Sequence, residues 1–276
     1  MQSALERWQE LLDARARQMD AAYARLGRSS ADYWNRRARA FHQATKDTVS
    51  RDPLFQRLSQ VVTPQTSMLD VGAGTGRFAL ALAPLARQVI AVEPNAAMLD
   101  HLRQDAADQA ITNISYISTT WQEAPADMQA DILVCSHVLY PIRDIKPFLA
   151  KLQASTRQSC YIYLRAIHFD ELTNHLWRHF HGDDRIPSPA YIHALDVLYE
   201  MGIYAHVEVV RLPQSLRYSS LESAAEELLE QLILPDDKQT LAELRTLLAS
   251  WLIEREGMLM PPQEEMICAI VRIDGK

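Results

Sequence analysis

No run of eighteen apolar residues occurs in the 276-residue chain, which argues against a membrane-spanning helix. The N-terminus is polar and charged and lacks the pattern of a signal peptide. A cytoplasmic protein without a membrane partner is expected. Cysteine is sparse: Cys135, Cys160 and Cys268 each lie in an apolar, strand-like run, which favours buried thiols over a disulfide framework or a soft metal site. The formal net charge is −7 and no basic block interrupts it, so nucleic acid is disfavoured as a partner and a small-molecule substrate is expected. His-Glu-x-x-His is missing, and so is any Gly-Lys-Ser/Thr ending that would hold a triphosphate. What remains is 48% hydrophobic and 23% charged, the balance of a water-soluble α/β domain with a substantial core.

Glycine is also scarce, eight in all, yet three of the eight stand at alternate positions in Met68-Leu-Asp-Val-Gly-Ala-Gly-Thr-Gly76. Leu69 and Val71 belong to a short apolar strand, and Gly72, Gly74 and Gly76 form a turn without Cβ atoms ahead of a helix starting near Arg77. A second strand, Gln88–Val92, ends in Glu93, placed to accept hydrogen bonds from ribose hydroxyls. A dinucleotide fold needs Gly-x-Gly-x-x-Gly, whose third glycine would fall at position 77; Arg77 stands there, so the pattern is that of a nucleoside site without a pyrophosphate.

With an acid, Asp70, two residues before Gly72, Gly74 and Gly76, the segment resembles the first motif of class I S-adenosylmethionine-dependent methyltransferases. The resemblance covers residues 66–165 with specific motifs. It implies S-adenosyl-L-methionine as cofactor and S-adenosyl-L-homocysteine as product, held by the loop through Asp70, Gly72, Ala73, Gly74 and Gly76 and by Glu93 with Pro94. After strand three the family usually carries Gly-Asp-Ala, whose acid meets the adenine amino group. Here Thr120 stands at that place, followed by Trp121 as a candidate wall of the adenine pocket. Ser136, at the end of strand four, completes the cofactor set. The resemblance also implies a lid from the segment Tyr33-Trp-Asn-Arg-Arg37, in which Tyr33 and Arg37 share a helix face and reach the cofactor carboxylate.

Along the chain, Leu5, Trp8, Leu12, Met19, Tyr23 and Leu26 recur at helical spacing, and further helical segments are expected after Ser30 and after Pro53. Strands are then expected at 67–71, 88–92, 114–117, 132–138, 160–164, 205–211 and 266–273, with helices between them. The alternation is that of an α/β, doubly wound sheet, and the count agrees with the family's Rossmann-like seven strands, the last antiparallel. Residues 1–62 are expected as an N-terminal helical cap or lid, and residues 63–276 as the core with a substrate-cap insertion at about 168–203.

Ligands of doubly wound sheets bind beyond the carboxyl ends of the strands, which points to the segment after strand four. There His137 is the candidate base and Tyr140 the candidate orienting hydroxyl. Four of the nine histidines crowd into 168–181, with Glu171, His175 and His179 on one helix face. No metal is expected; a polar, aromatic cap is, with His168, Trp177 and Tyr191 facing the substrate. The resulting expectation is methyl transfer to a small or medium-sized metabolite with aromatic or apolar surface. An RNA or protein methyltransferase and a non-catalytic S-adenosylmethionine-binding regulator are the alternatives. The N-terminal helices are also expected as a surface for a homodimer.

Overall fold

The computed structural model describes residues 2–29 and 49–275. Seven strands, β1 (Ser67–Val71), β2 (Gln88–Val92), β3 (Ile114–Ile117), β4 (Ala130–Ser136), β5 (Thr156–Arg165), β6 (His206–Pro213) and β9 (Glu265–Asp274), form one sheet in the order β3-β2-β1-β4-β5-β9-β6. The β1–β5 pairings are parallel, while β9 runs antiparallel to both β5 and β6. Strand order reverses at β1, because β2 and β3 extend to one side and β4 returns on the other. The crevice of the fold therefore lies beyond the ends of β1 and β4. A short hairpin, β7 (Ile253–Arg255) and β8 (Met258–Met260), stands apart from the sheet.

Every residue of β1 is buried, as a central parallel strand covered on both faces requires. On one face lie α2 (Pro53–Leu58), α3 (Arg77–Leu82) and α4 (Ala96–Asp108), whose Leu54, Phe78, Leu82, Leu99 and Leu102 form a single apolar cluster with Met68 and Val134. On the other lie α5 (Ile145–Ala154), α8 (Tyr191–Glu200) and the start of α1 (Ala4–Arg25). Trp8 of α1 is 1% exposed and packs in one cluster with Phe148 and Ile162, and its indole Nε1 donates to the Ile142 carbonyl at 2.7 Å. The far end of α1, through Ala22 and Tyr23, joins a third cluster with α7 (Asn174–His181), α9 (Leu221–Gln231) and α10 (Lys238–Trp251). Between β5 and α7 runs the single-turn α6 (Phe169–Leu172).

Several boundaries differ from the sequence expectation, three of them instructively. β4 ends at Ser136, two residues early, because His137 takes a left-handed φ of +59° that no strand tolerates. β5 starts at Thr156, which pairs with Ala130, and the ladder resumes at Ser159 opposite Ile132 after an irregularity at Arg157 and Gln158. The helix α10, ahead of the last strand, stops at Trp251, and Glu256-Gly257, both at positive φ, turn the β7–β8 hairpin.

Candidate functional site

The glycine loop is held by its own chain before any ligand is considered. Gly72, Gly74 and Gly76 have φ of +71°, +56° and +90°. A Cβ at Gly72 would stand 2.3 Å from Val138 Cγ2, and one at Gly76 2.2 Å from Leu102 Cδ1. Those two glycines are thus demanded first by the approach of the loop to the segment after β4 and to α4, rather than by a ligand. Gly72 and Ala73 donate their N–H groups to the Val92 carbonyl, at 2.8 and 3.1 Å. Glu93 ties the same loop from β2: Oε2 accepts from Gly74 N–H at 2.9 Å and Oε1 from Asn95 N–H at 2.8 Å. An ionised carboxylate has about four acceptor positions, so each oxygen keeps capacity for a further donor, as a vicinal diol requires. Pro94, next in sequence, is exposed.

Asp70 does not point at the loop's open side. Gly76 is the N-cap of α3 and has no side chain to offer, and Asp70 Oδ2 takes over the capping by accepting from Ala79 N–H at 3.1 Å. Burial, with a smaller push from the Glu93 charge, raises its carboxyl to about 7.

Beyond β4, His137 and Tyr140 form a pair, with Nδ1 and Oη 2.9 Å apart. The Tyr140 oxygen also accepts from Arg165 N–H at 2.9 Å, and His137 N–H donates to the Tyr163 carbonyl at 2.8 Å, which fixes the strained turn to β5. Ring contacts continue the wall, His137 to Tyr163 at 5.1 Å and Tyr140 to His168 at 5.2 Å between centroids. Burial pushes the His137 imidazole well below its usual 6.5, and the neighbouring Arg165, Arg77 and His168 charges push the same way. The imidazole is therefore neutral near pH 7. Ser136 precedes the pair as the last residue of β4.

Two arginines in this region were not singled out from the sequence. Arg77 is paired with Asp52, 2.6 Å away, which also caps α2 through Leu54 N–H. Arg165 has no ion-pair partner among the described residues, its nearest polar contact being Met266 Sδ. A cation at the end of a central strand is visible in sequence only once the strand's end is known.

After β3 the chain turns through Thr119–Glu123. Thr120 Oγ1 donates to Glu123 Oε2 at 2.8 Å, and Thr119 Oγ1 to the same oxygen at 3.1 Å. Trp121 is buried, with the Lys151 ammonium 4.6 Å from its ring centroid. That ammonium donates to the carbonyls of Trp121, at 2.6 Å, Gln122 and Ala124, so α5 grips the whole turn.

The insertion is organised by Asp170. Its carboxylate pairs with Arg15 of α1, with Arg185 at 3.0 Å and with His168 at 3.1 Å, and accepts from Ser188 Oγ at 3.3 Å. Burial alone would raise this carboxyl, but His168, Arg185 and Arg15 outweigh it and hold it well below the usual range. His168 lies beside Tyr140 and so borders the His137 pair. Trp177 stacks on His181 at 3.9 Å beneath the Arg185 guanidinium and lines a cavity of about 320 Å³ with Arg17 and Arg25 of α1. Tyr191 packs against the α1–α5 cluster. The other histidines are engaged separately: His175 Nδ1–H donates to the Leu172 carbonyl, His179 meets Glu243 at 2.7 Å and His181 donates to the Leu232 carbonyl. Tyr33 and Arg37 lie outside the described residues. Among the described residues no helix is long and apolar enough to cross a membrane.

Comparison with known proteins bears on the same region. The family model described as "Methyltransferase domain" matches residues 68–159. A Haemophilus influenzae protein without assigned function is 28% identical over 166 residues, which is 56% of this chain and 58% of that protein. The chain thus spans little more than half the length of that curated relative. The uncharacterized methyltransferase YcgJ of Bacillus subtilis is 26% identical over 119 residues, covering 40% of this chain and 47% of YcgJ. Its crystal structure superposes with a TM-score of 0.55 at 16% identity, over 80% of this chain and 97% of that one. A shorter stretch of 82 residues is 35% identical to the 23S rRNA (uracil(1939)-C(5))-methyltransferase RlmD of Yersinia enterocolitica, covering 28% of this chain and 18% of RlmD.

Proposed function

Residues 68–159 form a methyltransferase domain of the class I S-adenosylmethionine-dependent family, and from that premise we propose that the chain transfers a methyl group from this cofactor to a small or medium-sized metabolite. The observation that carries the reading is the Glu93 carboxylate, tied to the glycine loop at Gly74 and to Asn95 yet retaining acceptor capacity at the end of β2. That acceptor suits two vicinal hydroxyls, and the loop offers no lysine for a phosphate. When bound, the cofactor supplies an electrophilic methyl group on a sulfonium.

The remaining work falls to the chain's own residues. Displacement at a methyl carbon needs alignment, and proton removal when the acceptor is a hydroxyl, amine or thiol. Tyr140 Oη already accepts from Arg165 N–H, and its single proton serves His137 Nδ1 in one state of the pair. In that state Nε2 carries hydrogen and orients an acceptor by donating. In the other state Nδ1–H donates to Tyr140 Oη and leaves Nε2 free to take a proton. His168 closes one side of this pair, and the insertion that follows it supplies the aromatic surface expected to face the metabolite. The net charge of −7 favours a small acceptor over RNA. The local similarity to an RNA methyltransferase keeps a macromolecular acceptor as the second reading.

Calorimetric titration with S-adenosylmethionine, S-adenosylhomocysteine and NAD tests the cofactor. Micromolar binding of the first two and none of NAD is expected, and Glu93→Ala should weaken binding by about 1.5–3 kcal/mol through loss of a charge-assisted pair. Unchanged affinity in that variant would remove the ribose role. A panel of radiolabelled metabolites beside total RNA and protein then separates the two acceptor classes.

A further inference from the structure

β5 ends in Arg165, a cation for which no counter-charge stands among the described residues. The side chain is partly buried, and its one polar contact among those residues is Met266 Sδ, on the neighbouring β9 and 2.9 Å from Nη1. A thioether is a weak acceptor and carries no charge. The acids of this region are spent elsewhere. Asp52 pairs with Arg77 at 2.6 Å, and Asp170 with Arg15, Arg185 and His168. On the approach to Met266, Glu264 meets Arg255 at 3.1 Å and Glu265 meets Arg211 at 2.8 Å. Nε and Nη2 of Arg165 meet no acceptor among the described residues, although a guanidinium presents its donors as a planar fork.

The sheet order says which part of the crevice this cation serves. The glycine loop and Glu93 follow β1 and β2, whereas β5 lies across β4 from both. At about 4.8 Å per strand, the end of β5 stands roughly 10 Å from that of β1 and roughly 14 Å from that of β2. Arg165 therefore belongs to the half of the crevice that the nucleoside leaves open. The His137–Tyr140 pair, beyond β4, stands between the two halves. Tyr140 Oη accepts from Arg165 N–H at 2.9 Å, and after burial the Arg165 charge is the largest influence that disfavours protonation of His137. The same corner is aromatic: Tyr163, His137, Tyr140, His168 and Phe169 follow one another in ring contact.

We propose that the methyl acceptor is an aromatic carboxylate and that Arg165 is the specificity-determining residue that receives its carboxylate beside the His137–Tyr140 pair. This rests on the cofactor reading above. A guanidinium meets both oxygens of a carboxylate through two parallel N–H donors, which orients the acceptor as well as holding it. One unmatched cation suits a monoanion. A phosphate would bring a second charge with no cation left to meet it, because Arg77 and Arg185 are already paired.

The test is ligand-observed NMR titration of the intact chain, saturated with S-adenosylhomocysteine, using benzoate, its neutral counterpart benzamide, and phenyl phosphate. Benzoate should bind about tenfold more tightly than benzamide. Arg165→Gln should raise the dissociation constant for benzoate about tenfold and change those for benzamide and S-adenosylhomocysteine less than about twofold. Arg165→Lys, which keeps the charge without the fork, should fall between the two proteins on benzoate alone. Equal binding of benzoate and benzamide would overturn the proposal, as would benzoate binding that Arg165→Gln leaves unchanged. Weaker S-adenosylhomocysteine binding in that variant would also overturn it, by giving Arg165 to the cofactor carboxylate. Phenyl phosphate binding more tightly than benzoate would overturn the carboxylate in favour of a phosphate ester. Failure of the wild-type chain to bind S-adenosylhomocysteine at all would instead overturn the cofactor reading, and the proposal with it.

Discussion

Asp70 and Asp170 are equally buried, each 2% exposed, and burial has opposite results at the two ends of the molecule. Asp70, under the glycine loop, has one backbone N–H for a partner and a second acid nearby, and its carboxyl is raised to about 7. Asp170, at the root of the insertion, is ringed by Arg15, Arg185 and His168 and is held ionised far below the ordinary carboxylate range. Desolvation is similar in kind at both; the number of cations supplied decides the protonation state. The loop side is a region of backbone geometry in which a carboxyl can be kept neutral. The insertion side is a region of paired charge that fastens α1 to the chain beyond β5.

The contrast can be broken most forcefully at Asp170. Asp170→Ala leaves Arg15 and Arg185 without a counter-charge in a dry site, and a loss of about 3–5 kcal/mol in urea unfolding is expected. A loss under about 1 kcal/mol would mean that water reaches the guanidinium groups freely.

A smaller effect, but one with a pH signature, is expected at Asp70. Its folded pKa lies above the ordinary 3.8, so the native state carries the extra proton between 3.8 and about 7. Stability from this group therefore falls as pH rises through that window, the reverse of a paired carboxylate. Asp70→Asn keeps an acceptor for Ala79 N–H and should shrink the difference between the unfolding free energies at pH 5 and pH 8 by about 2–4 kcal/mol. An unchanged slope would place the titration elsewhere.

The least effect on stability is expected between the two regions, at His137. Its left-handed backbone carries a cost of about 1–2 kcal/mol for a residue with a Cβ, a cost that alanine would share. His137→Ala should therefore lose only the Tyr140 hydrogen bond and the ring contacts, about 1 kcal/mol, and leave cofactor affinity nearly unchanged while lowering turnover by about 10²-fold or more. Equal activity of the two proteins would remove His137 from the chemistry.

These two regions also differ in how much of them the amino-acid sequence discloses. The loop, its acid and Glu93 are encoded within 24 consecutive positions, 70–93, where strand periodicity and glycine spacing act locally. Parallel order follows from the alternation of elements, and the antiparallel last strand from the family resemblance. The Asp170 cluster joins residues 15, 168, 170, 185 and 188, and no local pattern announces which arginine will meet which acid. Histidines at helical spacing in 168–181 suggested a shared face; His175 and His179 do share one, meeting Trp251 and Glu243 of α10, whereas His181 turns to the Leu232 carbonyl and His168 precedes α6 as its N-cap.

The attachment of α1 has a consequence for the order in which the chain is made. Its anchors are Ile142 for Trp8, Asp170 and Ile186 for Arg15, and Glu200 for Ala4, at separations of 134 to 196 residues. This helix leaves the ribosome well before its anchors and is thus among the last of the described elements to find its place. At roughly 5–20 residues per second, synthesis keeps its apolar stripe waiting for about 10–40 s. During that interval Trp8 and Leu12 have only water, a chaperone or another nascent chain to lie against.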